Sequence, residues 1–221
     1  MKDLKVLILE GGFNEEHEVS LETAKQVKKA LIKLKINYDV LLVNPATFKI
    51  DIDKFDKNNI CFNALHGTFG EDGRIQKILD EKGMKYTHSD AYSSYVGFNK
   101  DLTKKELKET SILYPKYLNL NYQDLNKDNL ERALIEMGAF IIKPNCSGSS
   151  FGIKIFKNQD DINFFLSDIE NNIENYKNHN NILVEEYLNG RELTVSVIEK
   201  NGISVPIAVT EIISFNNLMT F

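Results

Sequence analysis

The sequence predicts an α/β protein in two parts: an N-terminal parallel α/β domain, followed by an α+β module. Three observations carry this prediction. Short apolar strands alternate with helices through roughly the first 95 residues, which is typical of a parallel sheet. A strongly charged helical segment then breaks the pattern. Toward the C-terminus, strand patterns follow one another without intervening helices, which favours an antiparallel sheet.

In the first part, "LKVLIL" predicts a buried strand, and "NYDVLLV" and "NICFNAL" predict two more. The segment "VSLETAKQVKKALIKLK" predicts a helix whose N-cap is Ser20. One face of that helix is apolar and carries Leu21, Ala24, Val27, Ala30, Leu31 and Leu34. A shorter helix, "GRIQKILDEKG", is expected to end at Gly83.

In the second part, "NKDLTKKELKET" predicts a charged helix, "LYPKYLNL" an extended segment, and "NKDNLERALIEMG" a helix ending at Gly138. The strands "AFIIKP" and "GIKIF" flank one loop and are expected to form a hairpin-like pair. The segment "NQDDINFFLSDIENNI" has the pattern of an amphipathic helix. We expect "NNILVEEYL", "RELTVSVIEK" and "ISVPIAVTEII" to be three successive strands of one antiparallel sheet.

Composition limits the classes of partner. The 221 residues carry 27 Lys and Arg against 32 Asp and Glu, a formal net charge of −5. This balance gives no bulk attraction to nucleic acid or to an anionic membrane, so we expect neither as a partner. No apolar run approaches a membrane span, and the N-terminus is too charged for a signal peptide. The two distant cysteines, Cys61 and Cys146, are expected to be reduced thiols in a cytoplasmic protein.

Two loops in the first part contain groups suited to chemistry. "GGFNEEHEVS" follows the first strand and places Glu16 and Glu18 near a helix N-terminus, although a solvated acidic turn is the simpler alternative. "HGTFGEDGRIQ" follows the third strand and combines His66, three glycines and two acidic residues. The alternative there is a glycine-rich turn with Asp72 as a helix cap. The first of these loops lacks the GxGxxG pattern, so we expect no Rossmann dinucleotide site there.

A third loop, "KPNCSGSSFGI", joins the two hairpin strands. Lys143 ends the first strand, and Gly148, Ser149, Ser150 and Gly152 expose backbone N–H groups and hydroxyls. Such a loop can fold over a polyphosphate as a lid, but an ordinary β-turn remains the alternative. The loop is not a Walker A motif, since neither GKS nor GKT closes it.

The fourth stretch, "VEEYLNGRE", follows an apolar strand. Its carboxylates, Glu185, Glu186 and Glu192, suit an adenine amino group and ribose hydroxyls, while Tyr187 and Leu188 offer apolar surface. The alternative is an exposed edge strand that its charges keep soluble.

Taken together and in this order, the four stretches resemble the D-alanine–D-alanine ligase family, a branch of the ATP-grasp superfamily. The matching segments are "GGFNEEHEVSLETA", "HGTFGEDGRIQ", "KPNCSGSSFGI" and "ILVEEYLNGRELTVSV". The resemblance implies a pre-ATP-grasp substrate domain at 1–95, an ATP-grasp small subdomain at 96–180, and the start of a C-terminal ATP-grasp subdomain at 181–221. This corresponds to a parallel α/β domain followed by an incomplete ATP-grasp α+β module.

The resemblance also implies a reaction. ATP would phosphorylate one D-alanine, and a second D-alanine would attack the acyl phosphate to give D-alanyl-D-alanine for peptidoglycan synthesis. By matched position, Lys100, Lys143, Gly148 and Ser149 would contact phosphate, with Ser149 also near the acyl phosphate. Glu185, Tyr187 and Leu188 would frame the adenine, and Glu192 the ribose. Glu16, with His66 nearby, would hold the ammonium of the first D-alanine. A homodimer is also implied.

One departure from the family pattern is Asn99, where the family usually has Asp before the lysine. Another is the C-terminus, because the family's ligands for Mg²⁺ or Mn²⁺ are expected beyond Phe221. We therefore expect the chain to be a fragment that is inactive alone. Two alternatives stay open: a ligase that uses D-lactate or D-serine as its second substrate, and a non-catalytic remnant that binds nucleotide.

Overall fold

The computed structural model describes residues 5–148, 152–174, 176–179 and 181–213. The described residues form two compact units. The first unit contains residues 5–113 together with 145–148, and the second contains residues 114–144 and the described part of 149–221. The predicted domain boundaries at 95 and 180 stay predictions.

The first unit is built on a four-stranded parallel sheet, as the sequence predicts. Its strands are β1 (Lys5–Gly11), β2 (Asn37–Val43), β3 (Ile60–Asn63) and β4 (Lys85–Tyr86), in the order β2-β1-β3-β4. Its helices are α1 (His17–Leu34), α2 (Phe48–Asp51), α3 (Arg74–Lys82), α4 (Ala91–Phe98) and α5 (Lys100–Leu107). A 3-10 turn covers Ile52–Lys54.

Strand β1 is buried on both faces because helices pack on both sides of the sheet. Leu7 and Leu9 belong to a core that includes Phe48 and Leu79, whereas Ile8 packs on the opposite face among residues of α1. This alternation follows from the two-residue period of a strand. It leaves the carboxyl ends of β1 and β3 as the places where the chain can carry functional loops.

One predicted helix start is wrong. Helix α1 begins at His17 with Glu16 as its N-cap, so Ser20 lies inside the helix. The Ser20 hydroxyl is buried and accepts a hydrogen bond of 2.9 Å from the Gly11 N–H. Its role is therefore to tie α1 to the end of β1. The predicted ends at Gly83 and Gly138 are confirmed, with Gly83 in the left-handed region at φ 67°.

The second unit contains an antiparallel sheet covered by helices. Its strands are β5 (Tyr117–Asn121), β6 (Phe140–Pro144), β7 (Lys154–Phe156) and β8 (Asn181–Glu186), in the order β5-β8-β6-β7. Its helices are α6 (Lys127–Met137), α7 (Gln159–Ser167) and α8 (Ile169–Glu174), with a 3-10 turn at Tyr122–Asp124. The predicted pairing of β6 with β7 is confirmed.

The prediction of three successive strands in one sheet is wrong. Strand β8 pairs with β5 and β6, whereas β9 (Glu192–Lys200) and β10 (Ile203–Ile212) form a separate two-stranded sheet. The reason is burial. Ile182 and Val184 of β8 pack into the core of the second unit with Phe140, while every residue of β9 is exposed.

A buried tyrosine fixes the end of the glycine-rich loop that joins β6 to β7. Tyr176 is fully buried, and its hydroxyl donates a hydrogen bond of 2.7 Å to the Gly152 carbonyl. Gly152 has a φ of +70°, and a Cβ built on it would lie 2.9 Å from Pro144 Cδ. A larger residue at this position would be strained and crowded.

Both cysteines are free, with Cys61 buried and Cys146 exposed. Burial raises the pKa of the Cys61 thiol to about 12, so this thiol is a poor nucleophile at neutral pH. Among the described helices, none combines the length and the apolar character that crossing a membrane requires.

Candidate functional site

Asn14 joins the loop after β1 to the loop after β3. Its side-chain amide donates to the carbonyls of His66 and Thr68 at 2.8 and 3.2 Å. Its side-chain oxygen accepts from the Glu16 N–H at 3.0 Å. Asn14 therefore sets the start of α1 and the path of the second loop together. This residue was not predicted from the sequence, although an Asn two positions before a helix cap is a recognisable turn former.

The Glu16 carboxylate lies against the backbone of two glycines from different loops. A Cβ built on Gly148 would lie 2.6 Å from Glu16 Oε2, and a Cβ on Gly67 would overlap the same oxygen. Both positions therefore accept only glycine while the carboxylate keeps its place. Three of the four sequence stretches thus each place a residue at this carboxylate, and those residues, Glu16, Gly67 and Gly148, all belong to the first unit.

His66 is held by contacts on both ring nitrogens. Its Nε2 lies 2.8 Å from Thr23 Oγ1, and its Nδ1 lies 3.6 Å from Glu71 Oε1. With the proton on Nδ1, the ring faces the carboxylate and Nε2 accepts from the Thr23 hydroxyl. Thr23 and Glu71 are thus positioning contacts that were not assigned to the site from the sequence.

Glu71, the carboxylate beside His66, has a raised pKa. Partial burial raises the pKa of its carboxyl above the ordinary value of 4.5, and the negative charge of Glu16 adds to the rise against an opposing hydrogen bond from Gly67. The side chain is still 45% exposed, so the effect is partly screened. A cavity of about 370 Å³ opens beside it within the first unit. Its walls include Thr23, His66, Glu71, Gln76, His88 and Phe98.

Lys100 is the first residue of α5, and its ammonium lies on backbone carbonyls of the third loop. Nζ donates to the Ser147 carbonyl at 2.9 Å and reaches the Asn145 carbonyl at 3.4 Å. Gly148, the next residue, lies against Glu16. The start of the glycine-rich loop is thus bounded by a cation on one side and an anion on the other. Ser149 lies outside the described residues.

Lys143 and Glu185 form an ion pair in the second unit. Nζ lies 3.1 Å from both carboxylate oxygens, and the side chains are only 18% and 8% exposed. The strand register explains the contact: Ile141 pairs with Glu185 and Lys143 with Leu183, so the two charged side chains are diagonal neighbours on one face. The opposite face carries Phe140 and Val184 into the core.

The remaining predicted residues follow β8. Tyr187 is half-buried, and its N–H donates to the Ala139 carbonyl at 2.9 Å. Leu188 is 63% exposed, and Glu192 is exposed at the start of β9. Tyr187 thus continues the sheet edge beside Glu185. The adenine and ribose roles of these residues stay predictions.

The charged side chains described above suit an anion better than a metal ion. In the first unit, the Lys100 ammonium beside the backbone of residues 145–148 fits an anionic, phosphate-bearing molecule. In the second unit, the Lys143 ammonium is likewise a group that pairs with an anion. For a metal ion the donor set is insufficient: within the described ranges, no group of three or more His, Cys, Asp or Glu side chains could hold one.

Comparison with known proteins decides the family. Residues 107–221, more than half of the chain, match the family model described as D-ala D-ala ligase C-terminus. The chain belongs to the D-alanine–D-alanine ligase family. Its curated relatives include the D-alanine–D-alanine ligase of Pelagibacter ubique, 38% identical over 202 residues, covering 90% of this chain and 62% of the relative. The ligase of Thermotoga petrophila is 35% identical over 196 residues, covering 89% and 60%. The chain thus spans about 60% of the length of these curated relatives.

Solved ligase structures have the same fold. D-alanyl-alanine synthetase A from Vibrio cholerae superposes with a TM-score of 0.77 at 23% identity, over 97% of this chain and 68% of that structure. The Bacillus anthracis D-alanine–D-alanine ligase complexed with ATP gives 0.73 at 27% identity, over 95% and 66%. The predicted fold class is therefore confirmed for this ligase-family chain.

The raised pKa of Glu71 predicts a pH-dependent effect on stability. Folding disfavours the ionised form of Glu71, so its charge lowers the free energy of unfolding at pH values above the pKa of the folded protein. This destabilisation disappears below pH 4.5, where Glu71 is protonated in both the folded and the unfolded protein. Glu71→Gln should therefore raise Tm at about pH 7.5, and the gain should vanish by about pH 4. Thermal unfolding of both proteins followed by circular dichroism measures this.

The matched control for this prediction is Glu81→Gln. A hydrogen bond from Lys49 lowers the pKa of Glu81, so the same substitution there should lower Tm at about pH 7.5. A Glu71 variant that is less stable than the wild type at that pH would contradict the prediction.

Proposed function

We propose that the protein carrying this chain is an ATP-dependent ligase that joins two D-alanine molecules into D-alanyl-D-alanine. The observation that carries the proposal is the position of Glu16, whose carboxylate lies between glycines of the second and third loops. A fixed carboxylate beside a phosphate-binding loop suits an amino acid that must present its own carboxylate to ATP. Membership of the ligase family supports the same reaction.

In the proposed reaction, a carboxylate oxygen of the first D-alanine attacks the γ-phosphorus of ATP, and ADP leaves. The amine of the second D-alanine then attacks the acyl carbon, loses a proton, and displaces phosphate. Glu16 would hold the ammonium of the first D-alanine through a charge-assisted hydrogen bond, which fixes the direction of its carboxylate. His66, oriented by Thr23 and Glu71, would line the same end of the substrate.

The nucleotide would be held by lysines and backbone amides. Lys100, Lys143 and the N–H groups of Gly148 and Ser149 would contact phosphate oxygens, while Tyr187, Leu188 and Glu192 would border the adenosine. Phosphoryl transfer needs positioning and charge neutralisation more than covalent help. Lys143 would exchange its contact with Glu185 for a phosphate, which leaves the Glu185 carboxylate available to an amino group on the adenine.

A divalent cation, Mg²⁺ or Mn²⁺, would supply further charge neutralisation on the transferring phosphate in the complete enzyme. Within the part of the chain that the structure describes, no group of three or more His, Cys, Asp or Glu side chains could hold this cation. The proposal also includes a cytoplasmic location, a homodimer, and a product used in cell wall synthesis.

The reaction itself is tested by supplying the full-length protein that contains these residues with ATP, Mg²⁺ and D-alanine. ADP formation should depend on D-alanine, and the dipeptide should be identified by mass spectrometry. Offering D-lactate or D-serine in competition distinguishes the related depsipeptide and mixed-dipeptide products. ATP binding without any D-alanine-dependent turnover would instead favour a non-catalytic nucleotide-binding protein.

Lys143→Ala should weaken ATP binding by about 10- to 100-fold, because a partly buried phosphate loses a charge-assisted partner. Isothermal titration calorimetry of the full-length protein with ATP measures the change in Kd. Lys154→Ala is the control, because Lys154 lies exposed on the neighbouring strand β7. An unchanged Kd for Lys143→Ala would remove this lysine from the nucleotide site.

Glu16→Gln keeps the size of the side chain and removes its charge. It should raise KM for the first D-alanine by about 10- to 100-fold, the range expected for one charge-assisted hydrogen bond, with a smaller change for ATP. Steady-state kinetics with each substrate varied in turn make the measurement. Equal changes for both substrates would mean that the Glu16 carboxylate has only a structural role.

A further inference from the structure

Asn145 is a buried polar residue at the start of the glycine-rich loop, and the sequence motif gives it no role. Its side-chain oxygen accepts a hydrogen bond of 2.8 Å from the Asp101 N–H at the N-terminus of α5. Its side-chain amide donates to Asn99 Oδ1 at 2.9 Å. Only 5% of the residue is exposed, so these bonds are made largely out of contact with water.

The orientation of both amides follows from the network. Asn99 is the N-cap of α5, and its Oδ1 accepts from the Leu102 N–H at 3.0 Å. That oxygen must therefore face the helix, and Asn145 must present its NH₂ group to it. Together Asn99 and Asn145 form what we call the asparagine clasp.

The clasp acts on Lys100, which lies in the chain between Asn99 and Asp101, the two residues that the Asn145 side chain bonds. The backbone N–H of Lys100 donates to the Asn145 carbonyl at 3.3 Å, and its ammonium lies on the Ser147 carbonyl at 2.9 Å. Residues 145–148 belong to the first unit although the strand that leads into them, β6, belongs to the second. The clasp and the two Lys100 hydrogen bonds thus fasten this segment to α5 together.

We propose that Asn145 is a positioning residue for Lys100, and that the clasp holds the Lys100 ammonium at the start of the glycine-rich loop before nucleotide binds. The lysine and the loop then form one prearranged anion site, so less conformational entropy is lost when a polyphosphate binds. The consequence for nucleotide rests on the proposed function, whereas the positioning of Lys100 does not.

Asn145→Asp tests the clasp with almost no change of size. The introduced carboxylate keeps the acceptor for the Asp101 N–H but has no donor for Asn99, and Asn99 cannot rotate its amide without giving up the Leu102 N–H. Asn99→Asp is the conservative counterpart, because a carboxylate there can accept both existing bonds. Asn126→Asp is the matched control, since Asn126 is also a helix N-cap but lies at α6.

The direct measurement is the reactivity of Lys100. Limited acetylation with an amine-specific reagent, followed by peptide mass spectrometry, gives the labelling rate of Lys100 relative to exposed Lys85 in the same sample. Asn145→Asp and Asn145→Ala should raise this ratio several-fold, while Asn99→Asp and Asn126→Asp should leave it near the wild-type value. An unchanged ratio in folded Asn145 variants overturns the proposal. If neither variant folds, wild-type Lys100 labelling as fast as Lys85 overturns it.

The nucleotide measurement compares ATP with adenosine on the full-length protein. Asn145→Asp should weaken ATP binding about five- to thirtyfold, the range for one or two lost hydrogen bonds, and leave adenosine binding unchanged. Equal weakening of both ligands would indicate general loosening and overturn the positioning role. A wild type that binds no ATP would contradict the proposed function, while Lys100 labelling would still decide on the clasp.

Discussion

Strands β1 and β3 lie side by side and run in the same direction, with Leu9 opposite Asn63. Because parallel neighbours end at the same edge of a sheet, the loops that follow them must leave together. Asn14 and Glu16 of one loop can therefore reach the backbone of the other at Gly67. The cluster around Glu16 depends on this pairing, since a shift of one strand by a residue would turn each of its side chains to the opposite face of the sheet.

The second unit contains two charged side chains that are nearly buried. Lys143 and Glu185 share the sheet face that α6 and α7 do not cover, and each neutralises the other. A buried ion pair adds little net stability compared with apolar residues of similar size. In the proposed function, a charged ligand would take the place of one partner, and the pair would open when that ligand binds.

Features that depend on residues close together in the sequence could be predicted. Periodicity and turn chemistry predict the parallel sheet, the helix ends at glycine and the pairing of β6 with β7. Strand β8 was assigned to the wrong sheet, because adjacency in the chain favoured β9 and only burial against Phe140 reveals its true neighbours. Charged candidate residues such as Glu16 and Lys143 lie in recognisable motifs, so the sequence alone is enough to propose them. Asn14 and Asn145 are neutral, and their importance comes from hydrogen bonds across as many as 54 positions. For such bonds a single sequence offers no signal beyond the turn-forming character of asparagine.

Among the described residues, β9 and β10 contact mainly each other, so we expect their sheet to unfold separately from the cores of the two units. All nine residues of β9 are exposed, and large apolar side chains such as Val197 and Val209 remain more than half accessible. Backbone amides in such a hairpin are expected to exchange with deuterium through local opening rather than through global unfolding. The transition measured by calorimetry would then be the unfolding of the cores of the two units. Substitutions at Val197 would change the exchange rates of amides in the hairpin and leave the Tm of that transition unchanged.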